Sequence, residues 1–516
     1  MNEGKRERHF GHFIEVWAAQ RPARTAIHFE GKDISWAQLN LQVSSAHRYL
    51  IEIGIKRGDR VAWLGMNHPT MLVLLFALMR CGAVLMPLNY RLTAHEHNQQ
   101  IADAAPSLLF FDVTHAAHVN SLNLNEGCCA LPCTNIDQVQ ASAGMDPLTN
   151  TDPLDDDALL VYTSGTTGLA KGAVLTQRAL LCNAMNSIHA HDLTSTDRVL
   201  MALPMFHVGG LNIMLTPALF VGASVNILAR FEPGLFLDQI TAWRPTLSLL
   251  VPATINALAS HSKWPNTNFA SLRLINTGSS IVPKALLQMW LDRGVPAAQV
   301  YGSTETAPIA IYLRAEDTQI KIGSAGLPAM HSEARVINSR GAHCQPNEVG
   351  EIQVRGDHVM RCYWNNPQAT QESFDGAWFK TGDLAYADSD GYYWVVGRSK
   401  DMIIAGGENI YPAQIEALIQ EHSDVAECAV IGLPDERWGE VPVLAVVLKE
   451  KGASSNASPL QDTHWLAQIL DGKLAKFKWP RKIYRFSELP KTALGKVKKD
   501  ALLELIQREK GGLKVV

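Results

Sequence analysis

Apolar runs alternate with amphipathic segments in the first part of the chain, and this pattern predicts repeated strand–helix–strand units. Arg60–Leu64, residues 83–87 and Leu108–Phe111 are short apolar runs of the kind found in strands buried on both faces. Segments with helical periodicity separate them, at residues 36–53, 70–80 and 93–104, the last with Thr93 as its cap. Such units imply a parallel sheet covered by helices on both faces.

A second series of the same units follows later in the chain. Apolar runs at residues 198–203, 224–228, 247–251 and 272–276 alternate with helical segments and predict a second doubly wound lobe. Short alternating strands with glycine turns between residues 334 and 354 indicate a small β-subdomain. After residue 400 the pattern is that of a separate small domain. The predicted fold class is therefore α/β, with a large N-terminal domain (residues 1–399) of two doubly wound lobes plus a β-subdomain, and a small α+β C-terminal domain (residues 400–516).

A loop rich in glycine and hydroxyl side chains lies between two apolar runs, residues 158–162 and 173–175. Its polar and glycine positions are Thr163, Ser164, Gly165, Thr166, Thr167, Gly168 and Lys171. Glycines let backbone N–H groups approach an anion, hydroxyls donate to phosphate oxygens, and lysine adds a positive charge. A Walker A loop would need glycine at Ala170 and Ser or Thr at Gly172, so that motif is excluded. The composition alone fits a phosphate site and a surface linker equally well.

Charge and cysteine content restrict the class of protein. The 46 Lys and Arg residues nearly balance the 50 Asp and Glu residues, so no overall field favours nucleic acid or an anionic membrane. Eight cysteines in 516 residues are too few for a disulfide scaffold. The longest apolar run, residues 71–79, is far shorter than the roughly 20 residues that span a bilayer. We expect a cytoplasmic protein without a transmembrane segment, and no nucleic-acid partner.

The glycine-rich loop resembles the phosphate-binding loop of the adenylate-forming superfamily, which includes acyl-CoA synthetases, 4-coumarate–CoA ligases, luciferases and peptide-synthetase adenylation domains. Further matches follow in that family's order. They are Tyr301, Gly302, Ser303, Thr304 and Glu305 for its Y-G-x-T-E element, Asp383 for its T-G-D element, Arg398 and Lys400 for its hinge, Gly406 and Gly407 for the next loop, and Lys496 for its C-terminal lysine. Ordered motifs from about residue 160 to 500 make coincidence negligible.

This resemblance implies an ATP-dependent carboxylate–CoA ligase, an AMP-forming acid–thiol ligase for a fatty or aromatic acid. A carboxylate is a poor acyl donor, so ATP first converts it to an acyl-adenylate with release of pyrophosphate. CoA then takes the acyl group and AMP leaves. The implied cofactors are ATP, Mg²⁺ and CoA, and the partner is a small-molecule carboxylic acid. Two alternatives remain: an adenylating enzyme that delivers its acyl group to a separate carrier protein, and a non-catalytic nucleotide-binding regulator.

The family's motifs assign roles around the nucleotide. The loop from Thr163 to Gly168, with Lys171, would bind pyrophosphate, and Glu305 beside Thr304 would be the Mg²⁺ ligand. Tyr301 offers a flat face to adenine, although a core aromatic is an equally good interpretation. Asp383 can accept both ribose hydroxyls, and Arg398 can donate to the ribose or the α-phosphate.

Lys496 is predicted to bridge the incoming carboxylate and the α-phosphate. The lysine loop and CoA cannot occupy the same space, so the resemblance implies a mobile C-terminal domain that rotates about a hinge at Lys400. Gly406 and Gly407 would then line the pantetheine tunnel. A basic run at residues 473–482 could contact CoA phosphates or, as a peripheral contact, an anionic membrane; a solvated helix face is the favoured interpretation.

The acyl pocket is expected at three segments, and its gate is predicted at His207, for which a structural role is an equally good interpretation. The segments are residues 206–210, Gly278 with Ser279 and Ser280, and residues 307–309. None of them carries Arg or Lys, which argues against a dicarboxylate such as malonate and favours an apolar acid. The choice between aliphatic and aromatic acids stays open, as does the oligomeric state.

Overall fold

The predicted strand–helix–strand units form two mixed sheets, followed by a β-subdomain and a small α+β unit. The structure is a computed structural model, and it describes residues 9–137, 153–163, 170–278, 282–405, 408–435, 438–449, 463–492 and 495–510. In the first part of the chain the helices are α1 (Phe13–Gln20), α2 (Trp36–Glu52), α3 (Pro69–Cys81), α4 (Ala94–Ala104), α5 (Ala116–Val119) and α6 (Thr134–Asp137), and the strands are β1 (Thr25–Phe29), β2 (Lys32–Ser35), β3 (Arg60–Leu64), β4 (Val84–Leu88), β5 (Leu108–Phe111) and β6 (Cys129–Pro132).

The second part of the chain continues the same alternation. Its helices are α7 (Gln177–His191), α8 (Val208–Asn212), α9 (Leu215–Phe220), α10 (Pro233–Ala242), α11 (Pro252–Ala259) and α12 (Lys284–Asp292), and its strands are β7 (Asp157–Thr163), β8 (Lys171–Thr176), β9 (Arg198–Met201), β10 (Ser224–Ile227), β11 (Leu247–Leu250), β12 (Leu274–Thr277), β13 (Ala297–Tyr301), β14 (Ile311–Tyr312) and β15 (Leu327–Pro328).

The remaining elements belong mainly to the β-subdomain and the C-terminal unit. Residues 333–398 contain α13 (Pro367–Glu372) and the strands β16 (Glu333–Ile337), β17 (Gly350–Arg355), β18 (Cys362–Tyr363), β19 (Phe374–Asp375), β20 (Trp378–Ala387) and β21 (Tyr393–Arg398). Beyond them lie α14 (Pro412–Gln420), α15 (Thr463–Leu470) and α16 (Lys499–Lys510), with the strands β22 (Ile403–Ala405), β23 (Glu408–Ile410), β24 (Val425–Asp435), β25 (Gly439–Leu448) and β26 (Lys482–Arg485).

Both large sheets are parallel in the middle and antiparallel at their edges. One has the order β18-β8-β7-β4-β3-β5-β6, and β8 and β18 are its antiparallel strands. The other has the order β15-β14-β13-β12-β11-β9-β10-β1-β2, with antiparallel edges at β14, β15 and β2. The two doubly wound lobes are confirmed, and the predicted parallel strands form the middle of each sheet, with antiparallel strands added at the edges.

Helix α3 is the centre of the core that the two sheets share. Every residue from Pro69 to Met79 is buried, as expected for a helix that is apolar on all sides. The same apolar cluster contains Val61 and Leu85 from one sheet and Val199 and Leu249 from the other. The lobes therefore pack on one core, which fixes the carboxyl ends of their strands relative to each other.

The C-terminal unit has cores of its own on the two faces of its sheet, which has the order β23-β22-β25-β24 with β26 beside β25. Ile415 and Ile419 of α14 pack on one face, and Leu502 and Ile506 of α16 pack on the other. The domain boundary at residue 400 stays a prediction. Within the described ranges, no helix is long and apolar enough to cross a bilayer.

Candidate active site

The polar groups that the motifs singled out lie where strands of the two lobes end. Thr163 ends β7, and its hydroxyl donates to the Lys171 carbonyl across the β7–β8 pair at 3.3 Å. Tyr301 ends β13, and Gly278 follows the end of β12. The carboxyl ends of parallel strands are where open α/β sheets bind ligands, so this edge is the candidate site.

Asp383, on β20 of the β-subdomain, contacts Tyr301 of the large lobes and Arg398 of its own sheet. The Tyr301 hydroxyl donates to Oδ2 of Asp383 at 2.9 Å, and Nε of Arg398 lies 3.1 Å from Oδ1. Strands β20 and β21 pair with Asp383 directly opposite Arg398, which is why the two charges meet. Burial raises the pKa of the Asp383 carboxyl, and Arg398 and Tyr301 oppose that shift. Since both carboxylate oxygens point at hydrogen-bond donors, a ligand hydroxyl here would join an ordered network.

Glu305 and Lys171 lie on either side of Tyr363. The Tyr363 hydroxyl donates to Oε1 of Glu305 at 2.8 Å, and Nζ of Lys171 lies 5.2 Å from the centre of the Tyr363 ring. Burial raises the pKa of the Tyr363 phenol, and the Glu305 carboxylate adds to this effect. The tyrosine therefore stays a neutral donor that orients the carboxylate.

A tight turn after β13 positions Glu305. The Ser303 N–H donates to Oγ1 of Thr306 at 2.9 Å, and the buried Thr304 accepts from the Ala307 N–H at 3.3 Å. Residue 302 must be glycine, because a Cβ there would lie only 1.8 Å from the Pro308 carbonyl oxygen. The backbone at Pro308 thus packs directly on Gly302, and this contact holds the turn that carries Glu305 at the edge of the sheet.

Lys496 reaches this cluster from the C-terminal unit. Its turn is closed by Thr492, whose N–H donates to the Lys496 carbonyl at 2.7 Å and whose Oγ1 accepts from the Lys496 N–H at 3.2 Å. Lys496 is exposed to solvent at the edge of the cluster, yet the packing around its ammonium lowers the pKa of that group; Arg398 lowers it further, and Asp383 opposes the shift. The ammonium is thus close enough to Arg398 and Asp383 for their charges to affect it.

His207 caps α8 at the expected pocket. Its Nδ1 accepts from the Gly209 N–H at 3.1 Å, and burial lowers the pKa of the imidazole to about 4, so the ring is neutral near pH 7. Two glycines are fixed by close backbone approaches: a Cβ on Gly210 would lie 2.2 Å from the Pro204 oxygen, and one on Gly278 would lie 2.6 Å from the Val300 oxygen.

Several predicted positions lie outside the described residues. They are Ser164, Gly165, Thr166, Thr167, Gly168, Ser279, Ser280, Gly406 and Gly407. Lys400 is described: it lies in the single turn Ser399–Asp401, two residues after Arg398, and it is exposed.

The structure adds residues that sequence reasoning missed. Tyr363 lies on the two-residue strand β18, which pairs with β8, and so short a run carries no periodic signal. Thr381 is another: its Oγ1 accepts from the Asp383 N–H at 3.1 Å and donates to the Ile352 carbonyl at 2.8 Å. Its position two residues before Asp383, inside a named motif, was the available signal.

Comparisons with known proteins agree with this arrangement. The model of the AMP-binding enzyme family matches residues 14–364, and that of the AMP-binding enzyme C-terminal domain matches residues 414–496. The chain is 44% identical to the indoleacetate–CoA ligase of Aromatoleum aromaticum, with 96% of this chain and 98% of the relative covered. It is 39% identical to a feruloyl-CoA synthase of an Amycolatopsis species, with 93% and 96% covered.

A solved structure resembles this protein over most of the chain. It is the o-succinylbenzoate–CoA synthetase of Bacillus subtilis in complex with its acyl-adenylate intermediate, with a TM-score of 0.85 at 31% identity, covering 95% of this chain and 97% of that one. The same Bacillus enzyme has also been solved with ATP and a magnesium ion, and that structure has a TM-score of 0.83 at 30% identity, with 95% and 99% covered.

Proposed function

This chain belongs to the AMP-binding enzyme family, and on that premise we propose that it activates an aromatic carboxylic acid. Its reaction is that of an ATP-dependent carboxylate–CoA ligase: the acid and ATP give acyl-AMP and pyrophosphate, and CoA then takes the acyl group as AMP leaves. The aromatic assignment is supported by the two relatives above, whose names state indoleacetate and ferulate.

One observation carries the proposed roles: the lysine loop of the C-terminal unit docks on the large lobes, where Gly495, directly before Lys496, lies against Ala253 of α11. The charges of Asp383 and Arg398 also act on the pKa of the Lys496 ammonium. A lysine there can neutralise the repulsion between a carboxylate and the α-phosphate that it attacks. Charge neutralisation and positioning are the main tasks of a protein in such a displacement.

Asp383 accepts the ribose hydroxyls in this proposal, and Arg398 donates to the ribose or the α-phosphate. The Asp383 carboxylate is already oriented by the Tyr301 hydroxyl and by Arg398, which supports binding with little reorganisation. Tyr301 offers its ring to the adenine, next to the Ser303 hydroxyl, which is buried without a partner in the described part of the chain.

The pyrophosphate is assigned to Lys171 together with the loop that follows Thr163. Mg²⁺ would be held by Glu305 and phosphate oxygens, and it would stabilise the charge that develops on the phosphates. The donor set fits, because the Glu305 carboxylate is oriented by Tyr363 and a lone hard oxygen ligand leaves the remaining positions to ATP. Among the described residues, the one cluster of three metal-ligating side chains is His9, His12 and Glu15, which does not include Glu305.

The second half-reaction needs the Lys496 loop to leave, because the thiol approaches through the same space. We assign this change to a rotation of residues 400–516 about Lys400, with Gly406 and Gly407 lining the path of the pantetheine arm. The independent cores of the C-terminal unit support a movement as a rigid body.

The acid itself is assigned to the apolar space near His207 and Gly278. A neutral His207 beside the carboxylate adds no charge, and the lining segments contain no Arg or Lys. A cytoplasmic location is supported by the eight cysteines, all of which are free thiols in the structure.

The test is carboxylate-dependent exchange of labelled pyrophosphate into ATP, followed by addition of CoA. We expect exchange and thioester formation with indole-3-acetate, ferulate or cinnamate, and much lower activity with hexanoate, palmitate and malonate. Highest activity with palmitate would overturn the aromatic assignment and leave the ligase assignment intact. Exchange without any CoA thioester would instead indicate a different acyl acceptor.

A further inference from the structure

Asn276 is a buried asparagine whose side-chain amide has no hydrogen-bond partner among the residues that the structure describes. The residue is 1% exposed, and Nδ2 and Oδ1 both appear among the buried side-chain atoms without a partner. Of the described asparagines, it is the one with both amide atoms in this condition. Buried polar groups are nearly always paired, so an amide with both atoms unpaired near a candidate site is a group that a ligand could complete.

The strand register fixes the face of the sheet on which the Asn276 side chain lies. Asn276 is directly opposite Leu249 on β11 and Ala298 on β13, and opposed residues of neighbouring strands share a face. Leu249 and Ala298 belong to the large apolar cluster, whereas Leu250 and Ile275 belong to the separate cluster on the other face. Asn276 therefore faces the large cluster.

That cluster contains the walls of the expected acyl pocket. Val208 of α8 belongs to it, as do Ala307 and Ile309 of the loop after β13. Gly278, the third predicted wall, follows Asn276 by two residues. The unpaired amide thus lies on the same face of the sheet as this cluster, two residues before the predicted wall at Gly278.

Two other buried asparagines near these walls are satisfied by the backbone, while Asn212 of α8 has an unpaired Nδ2 but an Oδ1 that accepts from the Thr216 hydroxyl at 3.2 Å. Nδ2 of Asn183 donates to the Asn212 carbonyl at 2.7 Å, and its Oδ1 accepts from the Ile309 N–H at 3.0 Å. Nδ2 of Asn186 donates to the Ile309 carbonyl at 3.1 Å. These asparagines hold the walls in place, and the lack of such a partner for Asn276 separates it from them.

We propose that Asn276 is a specificity-determining residue that recognises a hydrogen-bonding group on the ring of the acid, such as the N–H of an indole or the hydroxyl of a phenol. Its Oδ1 accepts from the ring donor, and its Nδ2 can donate to a neighbouring oxygen substituent. The inference rests on the proposed aromatic substrate. A site built to pair with a donor discriminates against the analogue without it, because the analogue leaves the amide unpaired.

Matched acids isolate this contact. Indole-3-acetate is compared with benzofuran-3-acetate, in which oxygen replaces the N–H, and 4-hydroxycinnamate is compared with 4-methylcinnamate. We expect the wild type to prefer the donor-bearing member of at least one pair by about 10-fold or more in kcat/KM for pyrophosphate exchange. In Asn276→Leu that ratio should fall close to one, mainly through loss of activity on the donor-bearing acid.

A stability measurement separates recognition from a structural role. Asn226 is the matched control, since it is also buried on a strand of the same sheet, and its Nδ2 donates to Oε1 of Gln239 at 2.9 Å. Asn226→Leu should lower the Tm and leave the substrate ratio unchanged. Asn276→Leu should leave the Tm of the ligand-free protein unchanged or raise it, because it replaces an amide that has no partner.

The possible outcomes test the role of Asn276 separately from the proposed activity of the protein as an aromatic acid–CoA ligase. Equal activity of wild type on both members of each pair, or equal losses on both in Asn276→Leu, would overturn the role of Asn276 while the aromatic–CoA ligase stands. A fall in Tm for Asn276→Leu as large as that for Asn226→Leu would likewise overturn it, since the amide would then be satisfied within the fold. Absence of exchange with every aromatic acid would remove the proposed function itself.

Discussion

Gly495 packs so closely on Ala253 that a Cβ built at Gly495 would lie 2.8 Å from the Cβ of Ala253. Ala253 belongs to α11 of the large lobes, and Gly495 immediately precedes Lys496 in the C-terminal unit. Gly495 also has φ +78°, in the left-handed region that favours glycine. Space and backbone conformation thus both require glycine where the lysine loop docks.

Replacement of Gly495 by alanine should impair acyl-adenylate formation. The added methyl group meets Ala253 and strains the turn, so we expect a loss of on the order of 10-fold or more in pyrophosphate exchange, as for other small displacements of a catalytic group. Thioester formation from preformed acyl-adenylate should change much less, because the loop is undocked in that step. Ala253→Gly in the same background removes the contact but not the positive φ, so it should restore part of the rate. No recovery in the double variant would mean that the contact is not the cause.

Lys496→Ala should lose on the order of 10²-fold or more in acyl-adenylate formation, as expected for a preorganised electrostatic group. Thioester formation from preformed acyl-adenylate should be spared. Lys496→Arg keeps the charge and should retain more of the first activity than alanine does. Equal losses in the two half-reactions, measured by single-turnover kinetics, would contradict the proposed role of the lysine.

The pattern of apolar and polar residues predicted the positions of several strands well, but it did not predict which distant strands pair with each other. The bounds of β3 and β5 were predicted correctly, because fully buried parallel strands are continuous apolar runs. The pairing of β1 with β10, with Ile27 opposite Val225, joins segments about 200 residues apart, and no periodicity reports such a contact.

The candidate site shows the same limit. Motifs identified Asp383 and Arg398 as separate nucleotide ligands, but not that adjacent antiparallel strands set them against each other. Tyr363 and Asn276 were missed because their significance lies in what they contact, or fail to contact, across the fold. Their residue types are unremarkable in sequence.

Tyr363→Phe should weaken the binding of Mg²⁺ and ATP, while the aromatic ring beside Lys171 is kept. The variant lacks only the hydroxyl that donates to Glu305, so the carboxylate loses its orienting partner. We expect the KM for MgATP and the Mg²⁺ concentration needed for half-maximal exchange to rise about 10-fold or more, since one hydrogen bond to a charged group contributes about 1.5–3 kcal/mol. Tyr363→Leu, which also removes the ring, should be worse. An unchanged Mg²⁺ dependence in Tyr363→Phe would argue that Glu305 does not hold the metal.

Acid should destabilise the protein between pH 6.5 and about 4. Burial lowers the pKa of His97, His191, His207 and His358 from 6.5 to about 4. In this window the unfolded chain binds protons at these positions and the native protein does not, so the free energy of unfolding falls as the pH is lowered from 6.5. Urea unfolding at pH 7.5, 6 and 5 measures the effect. His191→Gln should flatten the slope, and a wild type equally stable at pH 7.5 and 5 would show that these histidines are not held neutral.

Lys400→Pro tests the hinge, because proline fixes φ near −65° and restricts the residue before it. Lys400 lies in the short helical turn Ser399–Asp401, so a φ near −65° fits residue 400 itself, while the helical Ser399 before it is disfavoured and some loss of adenylation is expected. The rotation that clears the path for CoA requires the backbone at this turn to change, and proline opposes that change. Thioester formation should therefore slow more than adenylation in single-turnover measurements of each half-reaction.

Lys400→Ala removes the exposed charge but keeps the backbone free, so it should slow neither step appreciably. A larger loss in adenylation than in thioester formation for Lys400→Pro would place the hinge elsewhere in the chain.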